Sequence, residues 1–244
     1  MIGMRTTLGT SLLIVGLVVS PLRAGNREVK IVESAAGVVQ GMSVIPWGLL
    51  HDAAGVALIP HAIKTALVLD EEFGRSVVLI HEADGRWSNP IFITLKGGGI
   101  GGQAGIESTD LVLVFKTKQS LERALQGKLS LGQEATIAVG PIGREFEVAT
   151  EGRLLKAEIF SYSRSRGLFA GVSLERARLH IDPHGNKAFY GLRDGSPGEV
   201  LARHGAPIAA AETLKARLLG LRVPPKTPPA VLAVPVPPPP PRRR

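Results

Sequence analysis

The chain has 244 residues, of which 44% are hydrophobic, so its length and composition fit one packed domain with additional terminal segments. It contains no cysteine, which excludes a disulfide scaffold and a thiol nucleophile. Its net charge is +8, but seven basic residues lie in acid-free termini, and residues 25–221 carry 22 basic and 21 acidic side chains. A nearly neutral domain lacks the basic face that a nucleic-acid partner requires, so we predict no such partner.

The two ends of the chain differ in composition from its centre. Residues 1–24 place Arg5 before an uncharged Leu- and Val-rich stretch that ends in Leu22-Arg23-Ala24, which is typical of a signal peptide cleaved after Ala24. An uncleaved anchor is the alternative, and both predict an extracytoplasmic domain. Residues 223–244 hold ten of the 18 prolines and end in three arginines, so we predict a disordered basic tail. The predicted boundaries are 1–24, 25–222 and 223–244.

Two helices are predicted at the start of the domain. From Arg27 to Met42, apolar residues recur at spacings of three and four. We expect this helix to lie on a membrane through one apolar stripe, formed by Val29, Val32, Ala36 and Val39. Pro46 in a first turn and Gly55 just past the last turn predict a second, short helix between them.

From residue 56 onward, short apolar runs separated by turn signals predict β-strands. Asp84-Gly85 is a tight-turn signal between two of these runs. The predicted strands are 56–59, 66–69, 76–81, 91–95, 111–115, 135–139, 157–162 and 168–174. Further helices are predicted at 118–126, 197–204 and 207–219.

The glycine run at 96–105 contains the pattern G-x-G-x-x-G at Gly97, Gly99 and Gly102. A dinucleotide site needs a helix directly after this motif, whereas a Thr-Asp turn and a strand follow here. We therefore predict no nucleotide cofactor, and we interpret these glycines as points where a sheet bends or another strand approaches closely.

His180, Asp182 and His184 alternate as they would in a strand, which could place three zinc ligands on one face. Pro183 and Gly185 interrupt that pattern, so we interpret the segment as a polar turn and predict no metal. The sequence also lacks a G-x-S-x-G nucleophile elbow. A hydrolase that uses the two histidines or Asp182 is an alternative function, which stoichiometric metal on the purified domain would favour.

The segment 161–169, SYSRSRGLF, combines two arginines with three serine hydroxyls. Arg164 and Arg166 have the chemistry to bind phosphate oxygens, and Leu168-Phe169 could enter an acyl interface. A solvated hairpin with Leu168 and Phe169 in the core is the alternative interpretation.

Several longer motifs identify a family. They are AGVALIP at 54–60, GRWSNP at 85–90, TDLVLVF at 109–115, GPIGR at 140–144, SYSRSRGLFAGVSLE at 161–175 and NKAFYG at 186–191. In order and spacing, over about residues 30–220, the chain resembles the SYLF domain family, which occurs in yeast actin-patch proteins and in bacterial secreted proteins. The resemblance implies phospholipid binding, with phosphoinositides preferred in eukaryotic members, and no enzyme activity.

Together these observations predict an α+β fold, in which a Gly-rich, twisted antiparallel sheet or partial barrel is flanked by N-terminal and C-terminal helices. The predicted function is non-enzymatic binding of anionic phospholipid by an extracytoplasmic, peripheral membrane protein. We predict lipid contacts from Arg164 and Arg166, then from Lys116, Lys118, Arg144 and Lys187. The alternative is an envelope scaffold, similar to an actin regulator, that docks a partner on the P-x-x-P-x-R motif at 237–242.

Overall fold

The computed structural model describes residues 25–63, 72–96, 99–100, 108–126, 129–131, 135–140, 156–165, 168–171, 174–175 and 177–221. Several predicted features lie outside these residues: the signal peptide 1–24, the strand at 66–69, Arg144, Arg166 and the tail 223–244.

Most predicted strands are present with similar bounds; for example, the predicted run 91–95 is the strand Ile91–Lys96. The strands of the described residues are β1 (Gly55–Ile63), β2 (Glu72–Ile80), β3 (Ile91–Lys96), β4 (Gly99–Ile100), β5 (Ser108–Phe115), β6 (Leu129–Ser130), β7 (Ile137–Val139), β8 (Ile159–Ser165), β9 (Leu168–Gly171), β10 (Leu174–Glu175) and β11 (Arg178–Ile181). The predicted turn at Asp84-Gly85 is also present, with Gly85 at a φ of +85°.

The helices of the described residues are α1 (Asn26–Val39), α2 (Trp47–His51), α3 (Lys118–Leu125), α4 (Pro183–Tyr190), α5 (Pro197–Leu201) and α6 (Ala209–Leu221), with a 3-10 turn at Met42–Val44. Five of the six were predicted. Within the part of the chain that the structure describes, no helix is both long and apolar enough to cross a membrane.

The prediction of a polar turn at Pro183 and Gly185 is wrong, because α4 begins there. The Asp182 carboxylate accepts the backbone N–H of Gly185 over 2.9 Å, so Asp182 is the N-cap of this helix. Pro183 occupies the first turn, where its missing N–H has no cost, and Gly191 ends the helix at a φ of +69°. Pro183 therefore interrupts the strand pattern and also begins α4.

The strands form one large sheet in the order β6-β11-β3-β2-β1-β5-β8-β7, with β9 added to β8. The pairs of described strands are antiparallel, as predicted, except for β7 and β8, which run parallel at this edge of the sheet. β4 and β10 form a separate two-stranded sheet. The sheet curls into a half-barrel with helices from both ends of the domain against it, which confirms the predicted α+β fold.

The central strands are buried on both faces. Consecutive residues from Gly55 to Pro60, from Ile91 to Leu95 and from Thr109 to Phe115 are all buried, although side chains of a strand alternate between faces. Both faces of the sheet must therefore be covered, which explains why the sequences of these strands are mostly apolar without alternation.

One face of the sheet is covered by α1, which packs on β1, β2 and α6. Its predicted apolar stripe is correct in period, but Val32, Ala36 and Val39 are buried in the core and Val29 packs against it. The Arg217 side chain of α6 also donates to the backbone carbonyl of Ala36 over 2.6 Å. The expectation that this stripe lies on a membrane is therefore wrong for the folded domain, since the protein core already covers it.

The other face is filled by α3, which touches both β5 and β11. These strands are separated by β3, β2 and β1 in the sheet, so the sheet must curl around the helix. Gly55 permits the closest approach: a Cβ at this position would lie 2.8 Å from the Leu79 carbonyl oxygen and 2.9 Å from the Leu121 methyl carbons.

Candidate functional site

Arg164, the first predicted lipid-binding residue, lies in β8 directly opposite Asp110 of β5. Its Nε donates to Oδ2 of Asp110 over 2.9 Å, and its Nη2 donates to the same oxygen. Only 24% of the Arg164 side chain and 11% of the Asp110 side chain are exposed. The structure therefore holds this guanidinium against the sheet in an ion pair.

The second carboxylate oxygen of Asp110 supports a bulge in β1. The register between β1 and β5 shifts between Ile59 and Ala62, and His61 within that shift has a φ of +52°. Oδ1 of Asp110 accepts the His61 backbone N–H over 3.0 Å. Because a non-glycine residue seldom adopts a positive φ, this bond stabilises an unfavourable conformation, and Asp110 joins three adjacent strands.

Lys116 and Lys118 lie at the opposite end of β5, and both are exposed. Six residues of extended chain, or about 20 Å, separate Asp110 from Lys116. Between the lysines, the Thr117 hydroxyl accepts the N–H of Ser120 over 3.2 Å and caps α3. The structure therefore separates these lysines from Arg164 rather than gathering the predicted residues into one cluster.

The remaining predicted residues are placed as follows. Lys187 is half-buried on α4, where its Cγ packs beside Gly195. Arg144 and Arg166 lie outside the described residues.

The chain segments around Lys116 meet at one end of the sheet. The N–H of Ala54, just after α2, donates to the Phe115 carbonyl over 2.8 Å, and the N–H of Lys116 donates to the Glu158 carbonyl over 2.8 Å. Trp47 of α2 is 38% exposed and stacks near His51 at 4.8 Å between ring centroids. We call this region, defined by Trp47, Lys116, Lys118 and the exposed Lys156, the α2–α3 end.

Acidic groups at the α2–α3 end are partly neutralised. One oxygen of Glu158 accepts from Arg123 over 2.5 Å, and the other accepts the Thr136 N–H over 3.0 Å. Asp84 is paired with Arg86, and this interaction holds the pKa of the Asp84 carboxyl below its ordinary value. Exposed Asp52, Glu82 and Glu122 also occur here, so the positive charge is confined to the lysines and does not extend over the whole end.

The three candidate zinc ligands do not form a metal site in the structure. The strand alternation that would align them ends at Ile181, and His184 is exposed in the first turn of α4. The Asp182 carboxylate accepts from Arg75 and from the Gly185 N–H. Among the described residues, no group of three His, Asp or Glu side chains has the arrangement to hold a metal ion.

A family model described as a Las17-binding protein actin regulator, Ysc84, matches residues 96–220, which is half of the chain. The chain belongs to the Ysc84 family. Ysc84 is another name for the SYLF domain, so this match confirms the family that the sequence motifs indicate.

Relatives of this Ysc84-family chain come from fungi and vertebrates. LAS seventeen-binding protein 3 of Saccharomyces cerevisiae is 36% identical over 150 residues, covering 61% of this chain and 32% of that protein. SH3 domain-containing YSC84-like protein 1 of Bos taurus is 38% identical over 148 residues, covering 60% and 43%. Protein YSC84 of Saccharomyces cerevisiae is 33% identical over 174 residues, covering 70% and 37%.

The chain thus spans a third to less than a half of the length of these relatives. The name of the first describes a binding protein, and the name of the second describes a protein that contains an SH3 domain.

In this Ysc84-family chain, β8 ends at Ser165 and pairs antiparallel with β9, which begins at Leu168, and this pairing agrees with the hairpin of the alternative interpretation. The pairing places Arg164 opposite Phe169 and Ser165 opposite Leu168.

The sequence reasoning missed Arg75, which connects β2 to two helices. Its Nε and Nη2 donate to Oδ2 of Asp182 over 3.1 and 2.5 Å, and its Nη1 donates to Oε1 of Glu28 over 3.2 Å. The available signal was an arginine directly before the apolar run of β2, since a charge beside a core strand needs a buried partner. Trp47 and Lys156 were also missed, because only the fold puts them at the end of the sheet that carries Lys116.

Proposed function

We propose that this Ysc84-family domain is a non-enzymatic module that binds anionic phospholipid membranes on the extracytoplasmic side. The observation that carries the proposal is the α2–α3 end, where an exposed tryptophan lies at the same end of the sheet as exposed lysines. The resemblance to a lipid-binding family points to the same ligand.

Tryptophan and lysine bind a membrane surface in complementary ways. The indole of Trp47 is amphipathic and favours the layer between acyl chains and water. The ammonium groups of Lys116 and Lys118 would contact lipid phosphates, and each cation near an anionic surface contributes about 1 kcal/mol. Because residues 25–221 are nearly neutral, this attraction must come from a local cluster rather than from the net charge.

Arg164 and Arg166 remain predicted head-group residues, together with Arg144 and Lys187. The ion pair with Asp110 gives Arg164 a structural role as well. A lipid phosphate would have to share this guanidinium with the carboxylate, so we place Lys116 and Lys118 first for membrane contact.

Vesicle sedimentation tests the proposal. The mature chain that ends at Leu221 is mixed with phosphatidylcholine vesicles, with and without phosphatidylglycerol. We expect binding only to the anionic vesicles, and the double change Lys116→Ala/Lys118→Ala should weaken it by about 2 kcal/mol, roughly 30-fold. Added salt should weaken the wild type more than the variant, since exposed charges are screened within about 10 Å at 0.1 M.

The matched control is Arg27→Ala/Lys30→Ala, which removes the same charge from the exposed side of α1. If this control weakens binding as much, the α2–α3 end is not the site. If the tail-less domain binds no anionic vesicle, lipid binding by the domain is rejected. A folded Arg164→Ala/Arg166→Ala variant, checked by circular dichroism, measures the contribution of the other end.

The second candidate function is an envelope scaffold. The observation that favours it is the proline-rich tail, whose P-x-x-P-x-R motif has the form of a ligand for a polyproline-binding groove. Its three terminal arginines could also attach to vesicles. If vesicle binding belongs to the full chain and is lost with residues 223–244, the tail rather than the domain mediates attachment.

A further inference from the structure

Gly25 lies where α1 begins and α4 ends. Its backbone nitrogen donates to the carbonyl oxygen of Ala188 over 3.1 Å. Ala188 belongs to the last turn of α4, where carbonyl groups lack partners within their own helix. The negative end of the α4 dipole favours a positive charge at this position.

The Glu28 carboxylate lies against the same residue. A Cβ on Gly25 would lie 2.3 Å from Oε2 of Glu28, so that oxygen is within about 5 Å of the Gly25 nitrogen. Glu28 is only 7% exposed. Its Oε1 accepts from Arg75, whereas no hydrogen bond of the described residues uses its Oε2.

The buried charges around Gly25 do not balance. Arg75 joins Glu28 and Asp182, and in the described part of the chain it is the only basic side chain in an ion pair with either carboxylate. Two carboxylates therefore share one guanidinium. The N-terminal end of α4 also stabilises the Asp182 carboxylate, so the oxygen of the cluster that is left to accept a further cation is Oε2 of Glu28, on the side that faces Gly25.

We propose that proteolytic processing supplies this charge: the α-ammonium of Gly25, released by cleavage after Ala24, binds the Glu28 carboxylate and the Ala188 carbonyl. Hydrolysis adds one water across the Ala24–Gly25 peptide bond. The hydroxyl goes to the Ala24 carbonyl carbon, and the Gly25 nitrogen takes the hydrogen. At neutral pH the new acid loses a proton and the new amine gains one, so an uncharged amide becomes a cation.

Removal of the leader thus locks α1 onto α4 and completes the cluster with Arg75. The α1 dipole opposes an ammonium at its own N-terminus, but Glu28 in the first turn of α1 and the C-terminal end of α4 offset this repulsion. Processing therefore stabilises the folded domain in addition to releasing it.

The experiment compares three forms of residues 25–244 that differ only at the amino group of Gly25. One begins at Gly25 with a free amine and is made by cutting a removable fusion directly before Gly25. The second carries an N-acetyl group at Gly25, and the third retains the fusion segment. We expect the free amine to lower the unfolding equilibrium constant about tenfold relative to both others in urea denaturation.

Glu28→Gln provides the coupling test, with exposed Glu33→Gln on the same helix as its control. The tenfold effect of the free amine should disappear in Glu28→Gln and persist in Glu33→Gln. If the acetylated and free chains are equally stable, or if the effect persists without the Glu28 carboxylate, the ammonium site is rejected.

Two readouts keep the test decisive. If Glu28→Gln fails to fold because Arg75 loses a partner, the comparison of free and acetylated chains still decides. Intact mass of secreted protein tests cleavage separately, because a retained leader rejects the processing event whatever the stability measurements give.

Discussion

Asp110 and Arg164 face each other across β5 and β8, and Nε of Arg164 donates to the Asp110 carboxylate over 2.9 Å although 54 residues separate them in the chain. We expect Asp110→Asn to lower the free energy of unfolding by about 2 kcal/mol, because it leaves a partly buried guanidinium without its counter-charge. Urea denaturation followed by circular dichroism measures this change.

The control for this prediction is Asp84→Asn, which removes the carboxylate of an exposed pair with Arg86. Exposed pairs contribute little to stability, so its unfolding midpoint should stay near that of the wild type. Equal midpoints for the two variants would contradict a structural role for the Asp110–Arg164 pair.

Two glycines should respond to alanine with opposite signs. Gly55→Ala should destabilise the domain by about 1–3 kcal/mol, because its Cβ would press on the Leu79 carbonyl and the Leu121 side chain at the curled face of the sheet. Gly37→Ala, within α1, meets nothing within 4 Å and should stabilise by about 0.5–1 kcal/mol. Thermal unfolding of both variants checks the pair, and destabilisation by Gly37→Ala would contradict the packing described for α1.

Neither tyrosine of the chain should ionise while the domain is folded. Burial raises the pKa of both Tyr162 and Tyr190 above the ordinary value. The Tyr190 hydroxyl also donates to the Pro90 carbonyl over 2.7 Å, and the Tyr162 ring packs on the Gly140 backbone.

The folded-state pKa of each tyrosine lies above its unfolded value of about 10, so their contribution to stability is complete below that pH and is lost as the pH rises further. Alkaline titration should therefore show the tyrosinate absorbance rising together with loss of circular dichroism. Tyrosinate that forms before the domain unfolds would contradict this burial.

Asp194 should titrate at unusually low pH. The hydrogen bond with the Glu199 side chain, then the backbone N–H of Ser196, lowers its pKa to about 2. Its contribution to stability is therefore present above the ordinary value near 4 and is lost as the pH falls towards 2. Carbon-13 NMR of the aspartate carboxyls measures this directly, with Asp194→Asn assigning the signal; a midpoint near 4 would contradict the geometry.

The local elements of this fold were largely predictable from the sequence. The run Ile91–Leu95 is buried at every position and apolar at all but Thr94, because both faces of the sheet are covered, and the run itself indicates this. The α4 helix was missed although its signal is local, since Asp182, Pro183 and Gly191 have the residue types of an N-cap, a first turn and a helix end. That error came from weighing proline only as a strand breaker.

Placement of the same elements depended on contacts that no local pattern contains. The stripe of α1 has the period of an amphipathic helix, but the period is the same for a helix on a membrane and for one on β1, β2 and α6. Only the sheet and α6 decide that Val32 and Ala36 are buried in the protein.

For the candidate site, the sequence by itself determined which side chains can bind phosphate: Arg164, Lys116 and Lys118 were identified by residue type. Only the tertiary structure decided the partners of these side chains. The register between β5 and β8 places Asp110 opposite Arg164. The pairing of β1 with β5 puts α2, and therefore Trp47, at the end of the sheet that carries the lysines. Residue chemistry is a local property, whereas strand register between segments about 50 residues apart is set by how the whole core packs.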